Sequence, residues 1–502
     1  MKYKKIIAYL QILSFTIKTS LQKDPFDMVY FTGNILLFCC SKVIYSNESK
    51  GDWRMKGMFK HLTASMLGFV LILTSVVPAI RAEESAPDVS AWAIETLNEG
   101  EKYGIYPIEW YYDGFRSDIT AKKADELIRL TEKKIAALQL PENKKYRPIA
   151  NKKGTTRGDI VNRLYDIVAR YDLSVGNNAV AYMKERNILK GSTKGLQLGK
   201  KSTTENAVVL AIRFIQDTYH LAEQGSKGVA WTVEDEDTLV YLLGSIHLGT
   251  PELYPFNKKL LTAFEESDAL LVEANILDPE GLDYYAQKAL YTDGTTLKDH
   301  VSAETFAKIE KVAKLYNMPM EQLVKQKPWL LSSAFSMLGV DETFGLSSEE
   351  MAMHGIDMYF LLSALLKDKT IIELEGTKAQ VDMFEALTPK AQEQSLVEVI
   401  DSILEPPAES VGPSMQDWFD SWKKGEVSAF AESLKQMEGE PSEYNRMLFG
   451  KRDLDMAQKI QSILKEEEGT YFVVVGAGHF LVDQNIRYHL EKAGYSVEPF
   501  YQ

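Results

Sequence analysis

Two histidines occupy equivalent places in two similar segments of this chain. His247 ends residues 238–247 (TLVYLLGSIH), and His479 ends residues 470–479 (TYFVVVGAGH). In each segment an apolar run is followed by Gly-x-x-His, which predicts a buried β-strand and a tight glycine turn that presents an imidazole. Because ligands gather beyond the carboxyl ends of strands in open α/β sheets, we expect both histidines in one site. The alternative is two structural histidines, each satisfied within its own turn.

Carboxylates end two further apolar runs. Glu273 ends residues 268–273 (DALLVE), and Glu373 and Glu375 end residues 369–375 (KTIIELE). A carboxylate at the end of an apolar strand is costly to bury without a partner, so Glu273 is predicted to be functional. Two imidazoles with a carboxylate predict a divalent metal site, whose ion would activate water or polarise a carbonyl. A metal-free alternative uses histidine as the general base and glutamate as its partner.

The composition is that of an acidic globular protein with almost no cysteine. A length of 502 residues predicts two or three domains, and the net charge of −14 argues against the basic surface that binds nucleic acid. Both cysteines, Cys39 and Cys40, precede residue 82, so the chain beyond that point has no thiol for a disulfide, a nucleophile or zinc. A metal at the histidines would therefore be held by nitrogen and oxygen, which suits Mn²⁺, Co²⁺ or Zn²⁺.

Residues 55–82 have the order of a secretory signal peptide: a basic start, an apolar stretch and a small residue at the exit. We expect the natural start at Met55 or Met58, which makes residues 1–54 a non-native extension. The mature chain would then be secreted or associated with a bacterial cell wall, and it would meet the membrane only through the signal segment. The alternative is a membrane anchor at residues 62–80.

Residues 83–225 have an all-α pattern, because apolar residues recur three and four apart and Ser or Thr with a following acid marks several helix starts. Residues 104–107 (GIYP), residues 187–191 (NILKG) and the Thr156-Arg157 pair resemble S-layer homology repeats. The resemblance implies binding to secondary polymers of the bacterial cell wall. A helical spacer without a ligand is the alternative.

From residue 229 onward, strand patterns alternate with long helical patterns. This order predicts an α/β (α+β) domain over residues 229–502, with a mixed sheet and long helices. Strands are predicted at residues 230–233, 239–243, 269–272, 370–374, 471–475 and 496–500.

This region resembles the TraB/PrgY/GumN family, which includes the TIKI proteases. The resemblance is carried by the two Gly-x-x-His motifs, the strand that ends in Glu273, Gly355-Ile-Asp357, Glu373-Leu-Glu375-Gly with Gln380 downstream, and Arg452-Asp453. It implies a metal-dependent active site that hydrolyses peptide bonds. His247, His479 and Glu273 would surround the metal, and Glu273, Glu375 and Arg452 would take part in catalysis. Arg452 would stabilise developing negative charge, or form a structural ion pair with Glu375.

Two classes of function remain at this point. The first is a secreted or cell-surface metal-dependent hydrolase of the peptidase type, which acts on a peptide or protein; an esterase on the same scaffold is a variant of it. The second is a non-catalytic protein that binds a peptide signal or cell-wall polymer. Asp357 is expected only to cap a helix or to lie in a turn.

Overall fold

A computed structural model of the chain describes residues 87–149, 153–338, 344–405, 413–435 and 442–501. The predicted extension (1–54), signal peptide (55–82) and anchor (62–80) lie outside these residues. Within the described ranges, no helix is long and apolar enough to cross a bilayer.

The described residues form two compact units. The first consists of residues 87–227 and 251–262, and the second consists of residues 228–250 and 263–501 with the gaps given above. Residues 251–262, which follow the first Gly-x-x-His motif, therefore belong to the first unit. The sequence analysis placed a single domain boundary between residues 225 and 229.

The elements of the first unit are helices. Its α-helices are α1 (Ile94–Glu101), α2 (Ala121–Ala136), α3 (Arg157–Val168), α4 (Ala179–Glu185) and α5 (Thr204–Leu221), and its 3₁₀ helices are Ile108–Tyr112 and Pro251–Leu253. Thr120, Thr156 and Thr203 cap α2, α3 and α5, because each side chain accepts a hydrogen bond from a first-turn N–H. The relation of these helices to S-layer homology repeats stays a prediction.

The second unit contains one six-stranded mixed sheet, which confirms the predicted α/β class. The strands are β1 (Val229–Glu234), β2 (Thr238–Ser245), β3 (Ala269–Val272), β4 (Thr370–Glu373), β5 (Gly469–Gly476) and β6 (Val497–Pro499). Their order is β4-β3-β5-β2-β1-β6. The four strands from β4 to β2 are parallel, whereas β1 is antiparallel to β2 and to β6.

The centre of the sheet is apolar along its length. All four residues of β3 and the last six of β5 are buried. Parallel strands covered by helices on both faces have this continuous apolar pattern, which explains why the sequence located them within two residues of their observed bounds.

Helices lie between and after the strands. They are α6 (Lys258–Glu266), α7 (Pro279–Lys288), α8 (Leu297–His300), α9 (Ala303–Leu315), α10 (Met320–Leu323), α11 (Pro328–Phe335), α12 (Ser348–Met353), α13 (Ile356–Leu366), α14 (Thr377–Ala386), α15 (Pro389–Leu404), α16 (Met415–Lys424), α17 (Val427–Lys435), α18 (Glu443–Leu448), α19 (Lys451–Glu466), α20 (Gly478–Leu481) and α21 (Ile486–Lys492). Three of them, α13, α14 and α19, bring polar residues to the strand ends.

Candidate functional site

The carboxyl ends of β3, β5 and β2 meet at one edge of the sheet. These strands are adjacent and parallel, with Ser245 opposite Gly476 and Val272 opposite Val474. The residues that follow the three strands, His247, Glu273 and His479, are therefore brought together as the sequence predicted. All three are buried, with 9%, 8% and 2% of their surface exposed.

Asp357 holds His247. The imidazole Nδ1 is 2.7 Å from Asp357 Oδ2, and the Ser245 hydroxyl donates to Asp357 Oδ1 at 2.7 Å. Asp357 lies in the first turn of α13, which begins after Gly355. A Cβ atom at Gly355 would lie 2.2 Å from the His247 carbonyl oxygen, so only glycine allows the helix to approach this closely.

The electrostatics favour the protonated form of His247. Burial by itself disfavours the charged imidazole, but the charge and hydrogen bond of Asp357 and the charge of Glu273 outweigh it and raise the pKa of His247. His247 binds a metal only as the neutral imidazole, so metal binding at this residue would compete with its protonation.

Asp453 holds His479 in the same way. His479 Nδ1 is 2.7 Å from Asp453 Oδ1, and Asp453 Oδ2 accepts the Gly450 N–H at 2.7 Å. Asp453 is fully buried in the first turn of α19. The Phe449 ring lies beside the imidazole, with 5.3 Å between ring centroids.

Glu273 lies between the two histidines. Its Oε1 accepts the Gly476 N–H at 2.6 Å, and its Oε2 is 3.1 Å from Arg452 Nη2 and 3.8 Å from His479 Nε2. A Cβ atom at Gly476 would lie 3.1 Å from Glu273 Oε1 and 3.4 Å from His247 Nε2. Glu273 Oε1 and His247 Nε2 therefore both lie beside Gly476, while Glu273 Oε2 lies near His479 Nε2.

Arg452 and Glu375 form a bidentate ion pair. Arg452 Nε donates to Glu375 Oε1 at 2.7 Å, Nη2 donates to Glu375 Oε2 at 2.5 Å, and Nη1 donates to the Leu448 carbonyl at 2.8 Å. Burial by itself raises the pKa of Glu375. The hydrogen bond and the charge of Arg452 lower this pKa by more than burial raises it, so the net shift is downward. The ion pair that the sequence left as an alternative is therefore present, and its guanidinium also contacts Glu273.

Glu373 is separate from this cluster. It is exposed at the end of β4, and its Oε1 accepts the Asn275 N–H at 2.6 Å. Gln380, one turn into α14, does belong to the cluster, because its Nε2 is 3.1 Å from Glu375 Oε2 and 3.4 Å from Glu273 Oε2.

Sequence reasoning missed the roles of Asp357, Asp453 and Gln380. Asp357 was expected only as a cap or turn residue, and Asp453 only as part of the Arg452-Asp453 motif that carries the resemblance. The signal that could have found both aspartates is their position as first-turn acids of helices next to site motifs. The partner of each imidazole is therefore an aspartate, whereas the metal-free alternative expected a glutamate.

The imidazole and carboxylate side chains of the cluster are of the types that bind a divalent metal, but they are not arranged around a common metal position. Each imidazole Nδ1 faces a carboxylate, which is the usual support of a metal-binding histidine. However, within the described ranges no group of three or more His, Cys, Asp or Glu side chains is placed to hold a metal ion. Glu273 instead contacts Arg452 and the Gly476 N–H.

The fold and site together define a class: an α/β protein with a histidine, glutamate and arginine cluster at the carboxyl edge of its sheet. The family model of TraB/PrgY/gumN matches residues 229–499, which is more than half of the chain. This chain belongs to the TraB/PrgY/gumN family.

Two bacterial relatives resemble the same part of the chain. The Uncharacterized protein YbaP of Escherichia coli (strain K12) is 24% identical over 249 residues, which cover 49% of this chain and 85% of the relative. The protein of the same description from Shigella flexneri matches with the same identity and coverage. No solved structure matches the chain.

Proposed function

We propose that this chain is a metal-dependent hydrolase of the peptidase type, with its active site at the cluster around Glu273. The observation that supports the proposal most is the pair of histidines at adjacent strand ends, each held through Nδ1 by a buried aspartate and each next to Glu273. Imidazoles oriented in this way present Nε2 to a common ligand or reactant.

In this proposal His247, His479 and Glu273 would hold a divalent ion, which supplies an activated water and polarises a carbonyl when bound. Asp357 and Asp453 fix the imidazole orientations. Glu375 holds Arg452 through two hydrogen bonds, so the guanidinium keeps its position beside Glu273 and offers positive charge to a developing oxyanion.

Metal analysis and a peptide-hydrolysis assay test the proposal. We expect purified protein to bind Mn²⁺, Co²⁺ or Zn²⁺ and to cleave peptides, and His247→Ala and Glu273→Gln to lose both properties. His300→Ala is the matched control, because His300 is exposed and lies outside the cluster. Wild-type protein that neither binds these ions nor cleaves peptides overturns the proposal. Turnover that survives chelation but is lost in His247→Ala supports the metal-free alternative, with the His247–Asp357 pair as general base.

Export to the cell surface is part of the proposal. It is supported by the basic-apolar-small order of residues 55–82. N-terminal sequencing of the protein recovered from the culture medium or cell wall should give a start near residue 83, and a mature product that retains residues 1–54 contradicts this part.

A second function, binding of an anionic cell-wall polymer by the first unit, is favoured by Arg157. Its Nη1 and Nη2 donate to Asn206 Oδ1 and to the Lys190 carbonyl, while its buried Nε has no hydrogen-bond partner in the described residues. Burial and then the charge of Arg157 lower the pKa of Arg213, so two guanidinium groups lie within electrostatic range. Sedimentation with purified cell walls should be lost in Arg157→Gln and kept in Arg147→Gln, whose arginine is exposed. Equal sedimentation of both variants contradicts this function.

A further inference from the structure

The side chain of Gln380 joins the two carboxylates of the candidate site. It is 1% exposed, and its Nε2 is 3.1 Å from Glu375 Oε2 and 3.4 Å from Glu273 Oε2. Because an ionised carboxylate only accepts hydrogen bonds, the amide nitrogen must face the two glutamates and the amide oxygen must point away from them.

The main chain joins the same two residues. The N–H groups of Glu375 and Gly376 both donate to the Glu273 carbonyl oxygen, at 2.8 and 2.9 Å. Gly376 has a φ of 97°, which favours glycine, and α14 begins directly after it. Gln380 then donates its own N–H to the Gly376 carbonyl at 3.2 Å. The turn from β4 into α14 therefore determines where the Gln380 amide lies.

This arrangement has an energetic cost. The Oε1 atom of Gln380 is buried and has no hydrogen-bond partner among the described residues. A buried acceptor without a partner destabilises a fold, and a methionine of similar length would avoid the cost. The contact of the amide with the carboxylates, rather than stability, explains a glutamine at this place.

We propose that Gln380 is a positioning residue that fixes the orientation of the Glu273 carboxylate and ties it to Glu375. With Oε2 held by Gln380 and Arg452, Oε1 stays on the Gly476 N–H and the carboxylate faces His479. The effect on catalysis rests on the proposed function, whereas the effect on Glu273 does not.

Amide hydrogen exchange of Gly476 in the full-length protein tests the positioning directly, without metal or substrate. We expect Gln380→Met to speed this exchange at least about tenfold, because the hydrogen bond to Glu273 is loosened. Gln392→Met is the matched control, since the Gln392 amide donates to the carbonyls of Phe384 and Leu387, at 3.3 and 3.1 Å, and not to the carboxylates of the cluster as the structure describes it. Gln380→Asn, which keeps the amide but shortens its reach, should behave like Gln380→Met. Exchange at Gly476 that is unchanged in both Gln380 variants overturns the inference.

Kinetics separate positioning from a general loss of stability. In Gln380→Met we expect kcat to fall about 10–100-fold, as for other residues that orient a catalytic group, with KM within about twofold of wild type. Equal kcat values in Gln380→Met and Gln392→Met also contradict the inference. If the wild-type protein cleaves no peptide, the proposed function fails, and the exchange of Gly476 still decides the role of Gln380.

Discussion

Replacement of Arg452 by methionine should expose how strongly the site depends on one buried cation. The Arg452 side chain is 5% exposed, and the side chains of its partners Glu273 and Glu375 are 9% and 8% exposed. Methionine fills much of the same volume but donates no hydrogen bond, so Arg452→Met leaves two buried carboxylates without their counter-charge.

The magnitude follows from the number of charges left unpaired. Removal of one partner from a buried ion pair costs about 3–5 kcal/mol of unfolding free energy, and with two carboxylates affected we expect a value near the top of that range. Glu375→Gln leaves Arg452 paired with Glu273, so its cost should be about 1–3 kcal/mol. The double variant leaves only Glu273 unpaired, and its cost should be below the sum of the two single costs by about 0.5–3 kcal/mol.

Urea unfolding of the four proteins at pH 7, followed by tryptophan fluorescence, measures this coupling. Lys451→Ala is the control, because Lys451 and its partner Asp455 are 83% and 48% exposed, and such surface pairs contribute little. If the two single costs add within experimental error in the double variant, or if Arg452→Met is no less stable than the control, the buried ion pair does not stabilise the site.

Three further predictions follow from other contacts. Gly355→Ala should displace His247 and destabilise the protein by about 1–3 kcal/mol, because its Cβ would overlap the His247 carbonyl; an unchanged urea midpoint contradicts this. Asp357→Asn should lower the pKa of His247, measured by NMR titration. In the wild-type protein the pKa of His247 is raised, so the His247–Asp357 contact contributes its full stabilisation of the fold below about pH 6.5 and loses it as pH rises through the folded pKa. A His247 pKa that is the same in Asp357→Asn and wild type contradicts this prediction. Burial raises the pKa of Glu393, but hydrogen bonds from Thr305 and Ser302 lower it overall, so its stabilisation is present above about pH 4.5 and is lost as pH falls through the folded pKa. Glu393→Gln should therefore be less stable than wild type at pH 7, and this difference should shrink as pH falls below about 4.5; a difference that does not change with pH contradicts this.

The sequence predicted the sheet and the convergence of His247, Glu273 and His479 because both depend on local patterns. Buried parallel strands are continuous apolar runs, and the residues that follow adjacent parallel strands must lie at one edge. The helices that complete the site could not be located in this way. Asp357 is 110 residues from His247, and Gln380 is 107 residues from Glu273, and no local periodicity encodes such contacts.

The two glutamates near β4 illustrate how a small difference in strand length separates a site residue from a surface residue. Glu373 and Glu375 are two apart, so a strand continued to residue 375 would place both side chains on the same face. The strand instead ends at Glu373, and the Glu375 and Gly376 N–H groups turn toward the Glu273 carbonyl. Glu375 therefore reaches Arg452 while Glu373 stays exposed.

The two Gly-x-x-His motifs are similar in sequence, but the aspartate that contacts the histidine follows it in one case and precedes it in the other. Asp357 follows His247 and lies in the first turn of α13, whereas Asp453 precedes His479 and lies in the first turn of α19. In both cases the buried carboxylate is near the positive end of a helix dipole, which offsets part of the cost of burying its charge. The chain thus uses the same physical solution twice: an aspartate stabilised by a helix start orients an imidazole at a strand end. Because each imidazole is held by its own aspartate, Glu273 is the residue that links the two halves of the candidate site, and Arg452 and Gln380 both contact its carboxylate.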